Sequence, residues 1–412
     1  MARTETHDIL IVGGGLVGSS LALMLAREEC AHLSCALVEA RDFPASVADY
    51  QPAFDERSTA LAWGSRLIFE SLGLWPELEP GVATIRHIHV SQKGHIATAR
   101  FHADESPWPA YGHVMPNVWA GRVLGAALKA QSRVALHLGE TVERVTRQDN
   151  VWQVGLNSGR VIGSRTLVLA DGGRSALGEQ LGLQFDSRPY GQSAIVTNLA
   201  VSKPHDGWAW ERFTPDGPLA CLPLPDQDGQ HRLALVWTVP EKQLDGILAL
   251  DDEAFAARLE SRIGLRIGRI DQVGERVSYP LSLTTCRTPV REGLVVLGNA
   301  AHTLHPVAGQ GFNLALRDAW ALARRWAEVP ADKCHTRDVL NGYLSDQRLD
   351  QQRTVLASDS LVRLFTGREW LAPARGLGLL GLSVSRALQV PFARTAMGLG
   401  GQLFDRGFSS HD

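Results

Sequence analysis

The fold of this chain is decided by Asp8-Ile-Leu-Ile-Val-Gly-Gly-Gly-Leu-Val-Gly-Ser-Ser-Leu-Ala-Leu-Met-Leu-Ala-Arg27. Asp8 to Val12 is a short run of apolar, mostly β-branched residues, which is typical of a strand buried in a parallel sheet. Leu16 to Arg27 has the spacing of a helix, and Ala36 to Glu39 is a candidate second strand. Together these segments predict a βαβ unit at the start of the chain.

The turn between this strand and this helix contains Gly13, Gly15 and Gly18, which have the spacing of the GxGxxG motif. The first glycine permits the tight turn, the second lets the backbone approach a pyrophosphate, and the third lets helix and strand pack closely. The amides at the helix N-terminus then face the anion. Glu39, at the end of the second strand, is placed to accept hydrogen bonds from ribose hydroxyls and disfavours a 2′-phosphate. We therefore predict a dinucleotide site.

Two further motifs follow predicted strands. Ala170-Asp-Gly-Gly-Arg-Ser175 follows a strand predicted over 165–170, and an ordinary Asp-Gly turn is its alternative interpretation. Gly298-Asn-Ala-Ala-His-Thr-Leu-His-Pro-Val-Ala-Gly-Gln-Gly-Phe-Asn313 runs from a strand predicted over 294–297 through a glycine-rich loop into a helix predicted from about 311 to 328. Such a loop lays amides against a flat ligand, and the dipole of the helix behind it favours negative charge there.

Composition narrows the class of protein. With 412 residues we expect two interlocked domains, and a formal net charge of -3 gives no reason to expect a nucleic-acid partner. The five scattered cysteines argue against a disulfide framework and against zinc. The apolar stretch 376–385 is too short to cross a bilayer, and we interpret it as a core helix or as an interfacial helix against a membrane or partner. The expected location is the cytoplasm, with peripheral contact at the inner face of the membrane as a further option.

The three motifs, in this order, resemble those of the FAD-dependent aromatic hydroxylases, the class A flavoprotein monooxygenases, over essentially the whole chain. Within that family, the runs 54–61, 211–218 and 298–313 resemble the hydroxylases of ubiquinone biosynthesis. Gly298-Asn-Ala-Ala301 stands where the wider family has Gly-Asp, and in this the chain is most similar to the 2-polyprenyl-6-methoxyphenol hydroxylases. An asparagine there still donates and accepts hydrogen bonds but carries no charge.

The resemblance implies an α/β fold: a discontinuous Rossmann-like FAD-binding domain of the p-hydroxybenzoate hydroxylase type, an inserted β-sheet substrate domain and C-terminal helices. The FAD-binding domain would comprise residues 1–85, 110–185 and 276–345. Residues 86–109 and 186–275 would form the substrate domain, consistent with the strand-rich pattern over 191–239. Residues 346–412 would form the helical segment.

The resemblance also implies roles for single residues. Glu39 would hold the adenosine ribose, and Arg57 and Arg122 would lie near the flavin and its pyrophosphate. A surface arginine at a helix start is the alternative for Arg57, and a solvated helix face is the alternative for Arg122. The expected FAD-binding residues, including the loop along the isoalloxazine ring, are Gly13, Gly15, Gly18, Glu39, Arg57, Arg122, Asp171, Gly172, Asn299, Pro306, Gly309, Gln310 and Gly311.

No side chain is singled out as catalytic, and no metal site is expected. His302 and His305 lie three positions apart, without a carboxylate or cysteine ligand near them in the sequence, so we assign them structural or flavin-adjacent roles. Asp171 would sit where FAD and the nicotinamide donor both pass. The single GxGxxG motif fits a donor that visits and leaves.

The reaction implied is hydroxylation of a polyprenylated methoxyphenol by a flavin hydroperoxide, formed from FAD, O2 and NAD(P)H. The choice between NADPH and NADH, the ring position and the oligomeric state stay open. A halogenase is disfavoured because such enzymes carry a Trp-x-Trp-x-Ile-Pro run, whereas Trp208-Ala209-Trp210 is followed here by Glu211 and Arg212. The remaining alternatives are a polyprenyl reductase and a non-catalytic FAD-binding scaffold among other ubiquinone-synthesis proteins, to which Asn299 lends weight.

Overall fold

The computed structural model describes residues 5–44, 46–94, 98–173, 176–306, 309–365 and 385–399. Of the segments discussed above, Arg174, Ser175, Val307, Ala308 and residues 376–384 lie outside this part of the chain. Within it, no helix has both the length and the apolar character that crossing a lipid bilayer requires.

Strands and helices alternate in the first part of the chain, and long strands dominate the middle. The strands are β1 (Glu5–Val12), β2 (Cys35–Glu39), β3 (Ser58–Ala62), β4 (Ala83–Ile85), β5 (His87–Gln92), β6 (Thr98–His102), β7 (Gly112–Pro116), β8 (Val134–Leu138), β9 (Val142–Gln148), β10 (Val151–Leu156), β11 (Val161–Leu169), β12 (Phe185–Val201), β13 (Trp208–Thr214), β14 (Gly217–Gln227), β15 (Gln230–Pro240), β16 (Ile270–Val273), β17 (Val277–Cys286), β18 (Val290–Arg291), β19 (Leu294–Val296) and β20 (His302–Thr303). The helices are α1 (Leu16–Leu25), α2 (Trp63–Ser71), α3 (Trp75–Leu78), α4 (Asn117–Ala130), α5 (Leu177–Gln180), α6 (Glu241–Leu248), α7 (Asp252–Ile263), α8 (Gln310–Ala327), α9 (Arg337–Phe365) and α10 (Arg386–Ala396).

The first sheet has the strand order β18-β19-β11-β1-β2-β8. β1 lies in its centre and pairs in parallel with both β11 and β2, so that Val12 is opposite Leu169 on one side and Val38 on the other. β19 and β8 extend the parallel pairing outward. The carboxyl ends of β1, β2, β11 and β19 therefore meet at one edge, where ligands bind in open α/β sheets.

Alternating side chains of β1 supply the two faces of this sheet. Ile9 and Ile11 pack in a core with residues of α1, α4 and α8, whereas Leu10 and Val12 pack on the opposite face, beneath β9 and β10. All four side chains are at most 5% exposed. Burial on both faces accounts for the continuous apolar run that predicted this strand.

The second sheet has nine strands, in the order β20-β17-β12-β15-β14-β13-β5-β6 with β16 beside β12. One of its faces packs against α6 and α7, where the Trp237 and Phe255 rings meet edge to face at 5.6 Å. The sheet takes strands from both segments predicted for the substrate domain. It also takes β17 and β20, which the sequence analysis placed with the cofactor domain.

A small third sheet, β3-β7-β4, is formed by strands that lie in the chain between β2 and β8 of the first sheet. The prediction of an α/β fold with a Rossmann-like part and a second, strand-rich part is confirmed. Of the predicted elements, the strand over 151–156 has the predicted bounds. The strand over 165–170 begins earlier, at Val161, because β11 also pairs with β10.

Candidate functional site

A cavity of about 1710 Å³ opens at the carboxyl edge of the first sheet and continues along the second sheet. Its lining includes the turns after β1, β2, β11 and β19, together with the loop that leads into α8. Pockets for one small ligand enclose about 300–1000 Å³. The cavity is therefore large enough for a dinucleotide together with a second molecule.

The glycine turn after β1 has the geometry that the motif predicts. Gly13 has a φ of 102°, and a Cβ there would lie 2.6 Å from the carbonyl oxygen of Ala170. A Cβ on Gly18 would collide with the carbonyl oxygen of Gly13, so α1 can approach β1 only without a side chain there. A Cβ on Gly15 would meet nothing within 4 Å, because this glycine faces the cavity.

Glu39 borders the cavity where β2 ends. Its Oε2 accepts a hydrogen bond of 2.5 Å from the Gly14 amide, and its Oε1 accepts one of 3.0 Å from the Arg41 amide. The carboxylate is thus held beside the glycine turn by backbone donors. Its position next to that turn is the one predicted for a ribose-binding acid.

Asp171 and Gly172 follow β11 and border the same cavity. The Asp171 carboxylate accepts a hydrogen bond of 2.9 Å from the Gly173 amide, so the turn geometry of the alternative interpretation is present as well. The two interpretations are compatible, because the turn presents this segment to the cavity beside Gly13.

The turn after β19 joins the glycine turn after β1. A Cβ on Gly298 would lie 3.4 Å from Val17 in α1, and Asn299 borders the cavity with an exposed side chain. Within the described residues no hydrogen bond reaches the Asn299 carboxamide, whereas its backbone carbonyl accepts one of 3.2 Å from Thr303. The Asn299 amide group is thus available to a ligand.

The loop predicted to line a flat ring leads directly into α8. Pro306, Gly309, Gln310 and Gly311 all border the cavity. Gly309 has a φ of 58°, and a Cβ there would lie 2.8 Å from the Cβ of Ala60. Such crowding in a left-handed conformation explains a glycine at this position.

Asn313, at the start of α8, borders the cavity, and the sequence analysis gave it no role. Its side-chain oxygen accepts hydrogen bonds from the Ala62 amide at 2.8 Å and the Ser65 hydroxyl at 2.7 Å. Its side-chain nitrogen donates to the carbonyls of Ala60 at 2.8 Å and Gly309 at 2.7 Å. This carboxamide, 1% exposed, fixes the loop before α8 to β3.

The two predicted arginines both border the cavity, and they lie on different elements. Arg57 precedes β3 rather than a helix, is exposed, and donates a hydrogen bond of 2.9 Å to the Tyr279 hydroxyl. Arg122, on α4, is half-buried rather than solvated and donates to the Ser46 carbonyl at 2.9 Å. Its Nε is buried and has no hydrogen-bond partner. A buried donor without a partner at the wall of a cavity fits an anionic ligand.

The far end of the cavity is apolar, with one acidic side chain. The second sheet contributes mostly alanine, valine, leucine and phenylalanine side chains, together with Glu211. α10 closes this end: Phe392 stacks on Phe101 with ring centroids 5.9 Å apart, and the Gly64 amide donates to the Met397 carbonyl at 3.0 Å. The run 211–218, one of those that carry the family resemblance, thus contains a cavity residue, Glu211, to which the sequence analysis gave no role in the site. The sequence signal for it is a charged side chain on an otherwise apolar strand face.

His302 and His305 lie beside the loop and form no metal cluster with each other among the described residues. The fold does bring a carboxylate to His302, since its Nε2 lies 3.4 Å from Oδ2 of buried Asp318 in α8. Burial lowers the pKa of His302 to about 4 and raises the pKa of Asp318 to about 7, so the buried pair favours the uncharged forms. In the part of the chain that the structure describes, two groups of side chains could hold a metal ion, and neither borders the cavity. They are Glu5, His7 and His137, and His87, His102 and Asp104.

The residues at the polar end fit FAD. The open backbone at Gly15, the N-terminus of α1 and the unpartnered Nε of Arg122 match the needs of a pyrophosphate. The second corner, at Asn299 and the loop before α8, borders the same cavity as the first. One dinucleotide can therefore contact both corners.

Comparison with known proteins agrees with this geometry. The chain is 34% identical to ubiquinone hydroxylase UbiL of Rhodospirillum rubrum over 409 residues, covering 96% of this chain and 90% of that protein. It is 30% identical to the 3-demethoxyubiquinol 3-hydroxylase of Escherichia coli, covering 80% and 84% of the two chains. The solved structure of p-nitrophenol 4-monooxygenase PnpA from Pseudomonas putida shares the fold with a TM-score of 0.76 at 18% identity, covering 97% of this chain and 100% of that one.

The match to a protein family covers the first sheet, the second sheet and most of α9. Residues 6–357 match the model of the FAD binding domain family. The predicted cofactor, FAD, is confirmed by this match. The chain belongs to the FAD binding domain family, and its cavity joins the glycine turn of that domain to an apolar wall.

Proposed function

We propose that this protein is an FAD-dependent monooxygenase that hydroxylates a polyprenylated methoxyphenol in ubiquinone biosynthesis, with NAD(P)H and O2 as co-substrates. The observation that carries the proposal is the single cavity, polar at the dinucleotide corners and apolar along the second sheet. The names of the relatives from Rhodospirillum rubrum and Escherichia coli, a ubiquinone hydroxylase and a demethoxyubiquinol hydroxylase, support the substrate class.

In this proposal the polar end holds the cofactor. Gly13, Gly15 and Gly18 shape the turn for the pyrophosphate, and Arg122 offers its unpartnered Nε to the same group. Glu39 binds the adenosine ribose. The further contacts to the dinucleotide and its ring come from Arg57, Asp171, Gly172, Asn299, Pro306, Gly309, Gln310 and Gly311, all of which border the cavity.

The cofactor supplies the oxygen chemistry, because FAD reduced by the nicotinamide donor activates O2. The protein positions the reactants, stabilises negative charge and excludes water. The amides at the N-terminus of α8 and the helix dipole favour the negative charge of the reduced ring. The apolar wall keeps water away from the reacting groups.

The division into an FAD-binding domain and a substrate domain is part of the same proposal. The wall strands β5, β12, β13, β14 and β15 belong to the predicted substrate segments, and their cavity-facing side chains suit an isoprenoid chain. Exposed apolar side chains on the two C-terminal helices, Leu349, Leu356, Val390 and Phe392, support contact with a membrane surface. Because Phe392 also borders the cavity, a lipid-dissolved substrate would reach the site beside α10.

The test of cofactor binding uses Gly15→Ala. The added methyl group meets nothing within 4 Å in the protein but occupies the space that a pyrophosphate needs. We expect an unchanged unfolding midpoint of the apoprotein and a loss of FAD affinity of about tenfold or more, or at least ~1.4 kcal/mol. Gly246→Ala, in exposed α6 and also without a close neighbour, is the matched control and should leave FAD affinity unchanged.

The test of the reaction uses wild-type protein loaded with FAD. With a polyprenylated methoxyphenol, NAD(P)H and isotopically labelled O2, mass spectrometry should find one labelled oxygen atom in the phenolic product. A protein that takes up FAD but transfers no labelled oxygen would contradict the monooxygenase assignment. A protein that takes up no FAD would contradict the cofactor site as well.

A further inference from the structure

The apolar wall of the cavity contains one ionisable side chain, Glu211 on β13, among the described residues that the second sheet contributes. In the sheet register, Glu211 lies opposite Ala220 of β14 on one side and Val90 of β5 on the other. Both of these neighbours border the cavity as well. The rest of this surface is formed by residues such as Ala209, Phe213, Leu222, Ala234 and Val236. A carboxylate in the middle of such a surface requires an explanation.

No hydrogen bond or ion pair reaches the Glu211 carboxylate within the part of the chain that the structure describes, and the side chain is half-buried. Burial raises its pKa to about 7, without a contribution from a charged neighbour. The next residue, Arg212, is on the opposite face of the strand, where alternation puts it. Buried carboxylates are otherwise paired, because an unpaired one costs stability.

The titratable groups on the other walls do not neutralise this carboxylate. Arg57 keeps its charge, but its guanidinium donates to the Tyr279 hydroxyl, and among the described residues it forms no ion pair with Glu211 and makes no contribution to the pKa of Glu211. Burial lowers the pKa of His305, in the loop before α8, to about 4, and it raises the pKa of Tyr111, before β7. At neutral pH both groups are therefore uncharged, and Glu211 is left with acceptor capacity directed into the cavity.

A phenol is the complement of such a group, since its hydroxyl is a donor attached to an apolar ring. We propose that Glu211 is a catalytic residue that accepts a hydrogen bond from the phenolic hydroxyl of the substrate and takes its proton during oxygen transfer. This inference rests on the proposed function and adds a general base to it. An environment that shifts a carboxyl toward neutral pKa is typical of catalytic acids and bases.

The proton and electron balance is simple. The phenolic O–H bond breaks, the proton passes to a carboxylate oxygen of Glu211, and the electron pair stays on the phenolic oxygen. That pair raises the electron density of the ring, so a ring carbon forms a bond to one of the two oxygen atoms derived from O2 while the O–O bond breaks, and two electrons of NAD(P)H balance the reduction. The other oxygen atom leaves as water. The ring then loses the proton of the attacked carbon and regains its phenolic proton from Glu211, which restores the carboxylate.

The experiment compares wild type with Glu211→Gln, which keeps the shape of the side chain but removes the base. Both FAD-loaded proteins are assayed on two phenols with the same prenyl chain. One phenol is neutral at the assay pH, and the other carries ring fluorines and is already ionised at that pH. Product is quantified by chromatography, and kcat and KM are measured separately. Glu241→Gln, in the exposed first turn of α6, is the control.

With the neutral phenol, E211Q should lower kcat by about 10²–10⁴-fold, the range for loss of a general base. With the ionised phenol the fall should be small, because no proton has to be removed. FAD affinity and nicotinamide oxidation without phenol should match wild type, and E241Q should match wild type throughout. An equal fall on both phenols, or no fall on the neutral one, would overturn the role of Glu211.

Stability gives a second readout that a structural role would move the other way. The folded-state pKa of Glu211, about 7, lies above the value of about 4.3 for an unfolded chain, so the folded protein loses stability as the pH rises between these values. E211Q removes this loss and should unfold at a higher temperature than wild type at pH 8. A lower unfolding temperature would count against the inference.

If wild type makes no product from either phenol, the proposed function itself fails, whereas product from wild type with an unaffected E211Q refutes only the role of Glu211.

Discussion

Replacing Asn313 by alanine should loosen the loop before α8 from β3 and destabilise the protein. The side chain is 1% exposed and makes four hydrogen bonds, three of them to backbone groups of Ala60, Ala62 and Gly309. The fourth partner, the Ser65 hydroxyl, lies in the first turn of α2 and can reorient by rotation about its Cβ–Oγ bond. The backbone groups cannot turn away in this manner.

The size of the effect follows from the groups left without a partner. Each buried hydrogen bond contributes about 1 kcal/mol net, and a buried group left unsatisfied costs about 1–3 kcal/mol. Three fixed backbone groups therefore give a loss of about 3 kcal/mol in the free energy of unfolding. FAD affinity should fall as well, because Gly309 lies in the loop that borders the cavity.

The assay is guanidinium unfolding of the apoprotein, followed by tryptophan fluorescence, together with titration of flavin fluorescence. Asn299→Ala is the matched control, because no described residue donates to or accepts from that carboxamide, and it should leave apoprotein stability unchanged. Asn313→Asp keeps the acceptor but sets a carboxylate oxygen against two carbonyls, so it should be at least as damaging as alanine near neutral pH and less so in acid. A loss below about 1 kcal/mol for Asn313→Ala would refute the reasoning.

Three further predictions concern the core around α1 and α8. Asp350→Ala should cost about 3–5 kcal/mol in guanidinium unfolding, because the guanidinium of Arg317, 2% exposed and bound to Asp350 at 2.7 Å, loses its ion-pair partner and keeps only the hydrogen bond to the Thr354 hydroxyl among the described residues. Burial raises the pKa of Asp318 to about 7, so between about pH 4 and pH 7 this carboxyl ionises readily only in the unfolded chain, and wild type loses stability as the pH rises through this range. Asp318→Asn should remove this pH dependence, and unfolding midpoints of both proteins across the range check it. Gly18→Ala should lower both apoprotein stability and FAD affinity, because its methyl group collides with the carbonyl of Gly13, and equal thermal midpoints for variant and wild type would contradict this.

The parts of the site that the sequence predicts are those in which a backbone conformation demands a residue type. Close backbone approach or a left-handed conformation requires glycine at Gly13, Gly18 and Gly309. Each requirement leaves its mark in a single short segment of the sequence, where it can be recognised. Strand β1 is likewise predictable from the sequence. Both of its faces are buried, so the run consists of apolar residues.

The parts that could not be predicted depend on partners distant in the sequence. Asn313 bonds to residues about 250 positions earlier, so its role is invisible in its own segment. The carboxylate beside His302 comes from Asp318, more than two turns into α8, and the sequence spacing gave no sign that the two side chains meet. Arg57 precedes a strand rather than a helix because the segment 58–62 pairs with β7. The residues of this segment alone do not predict that pairing.

The loop before α8 is fixed from two sides, and this links the two ends of the cavity. On its inner side the Asn313 carboxamide binds the Gly309 carbonyl, and on its outer side the Gln310 carboxamide donates to the Ala396 carbonyl of α10 at 2.9 Å. The helix that closes the apolar end thus bonds directly to the residues expected beside the flavin ring. In the proposed function, a displacement of α10 that admits a long apolar substrate would strain the Gln310 contact, so we expect the loop before α8 to shift with α10.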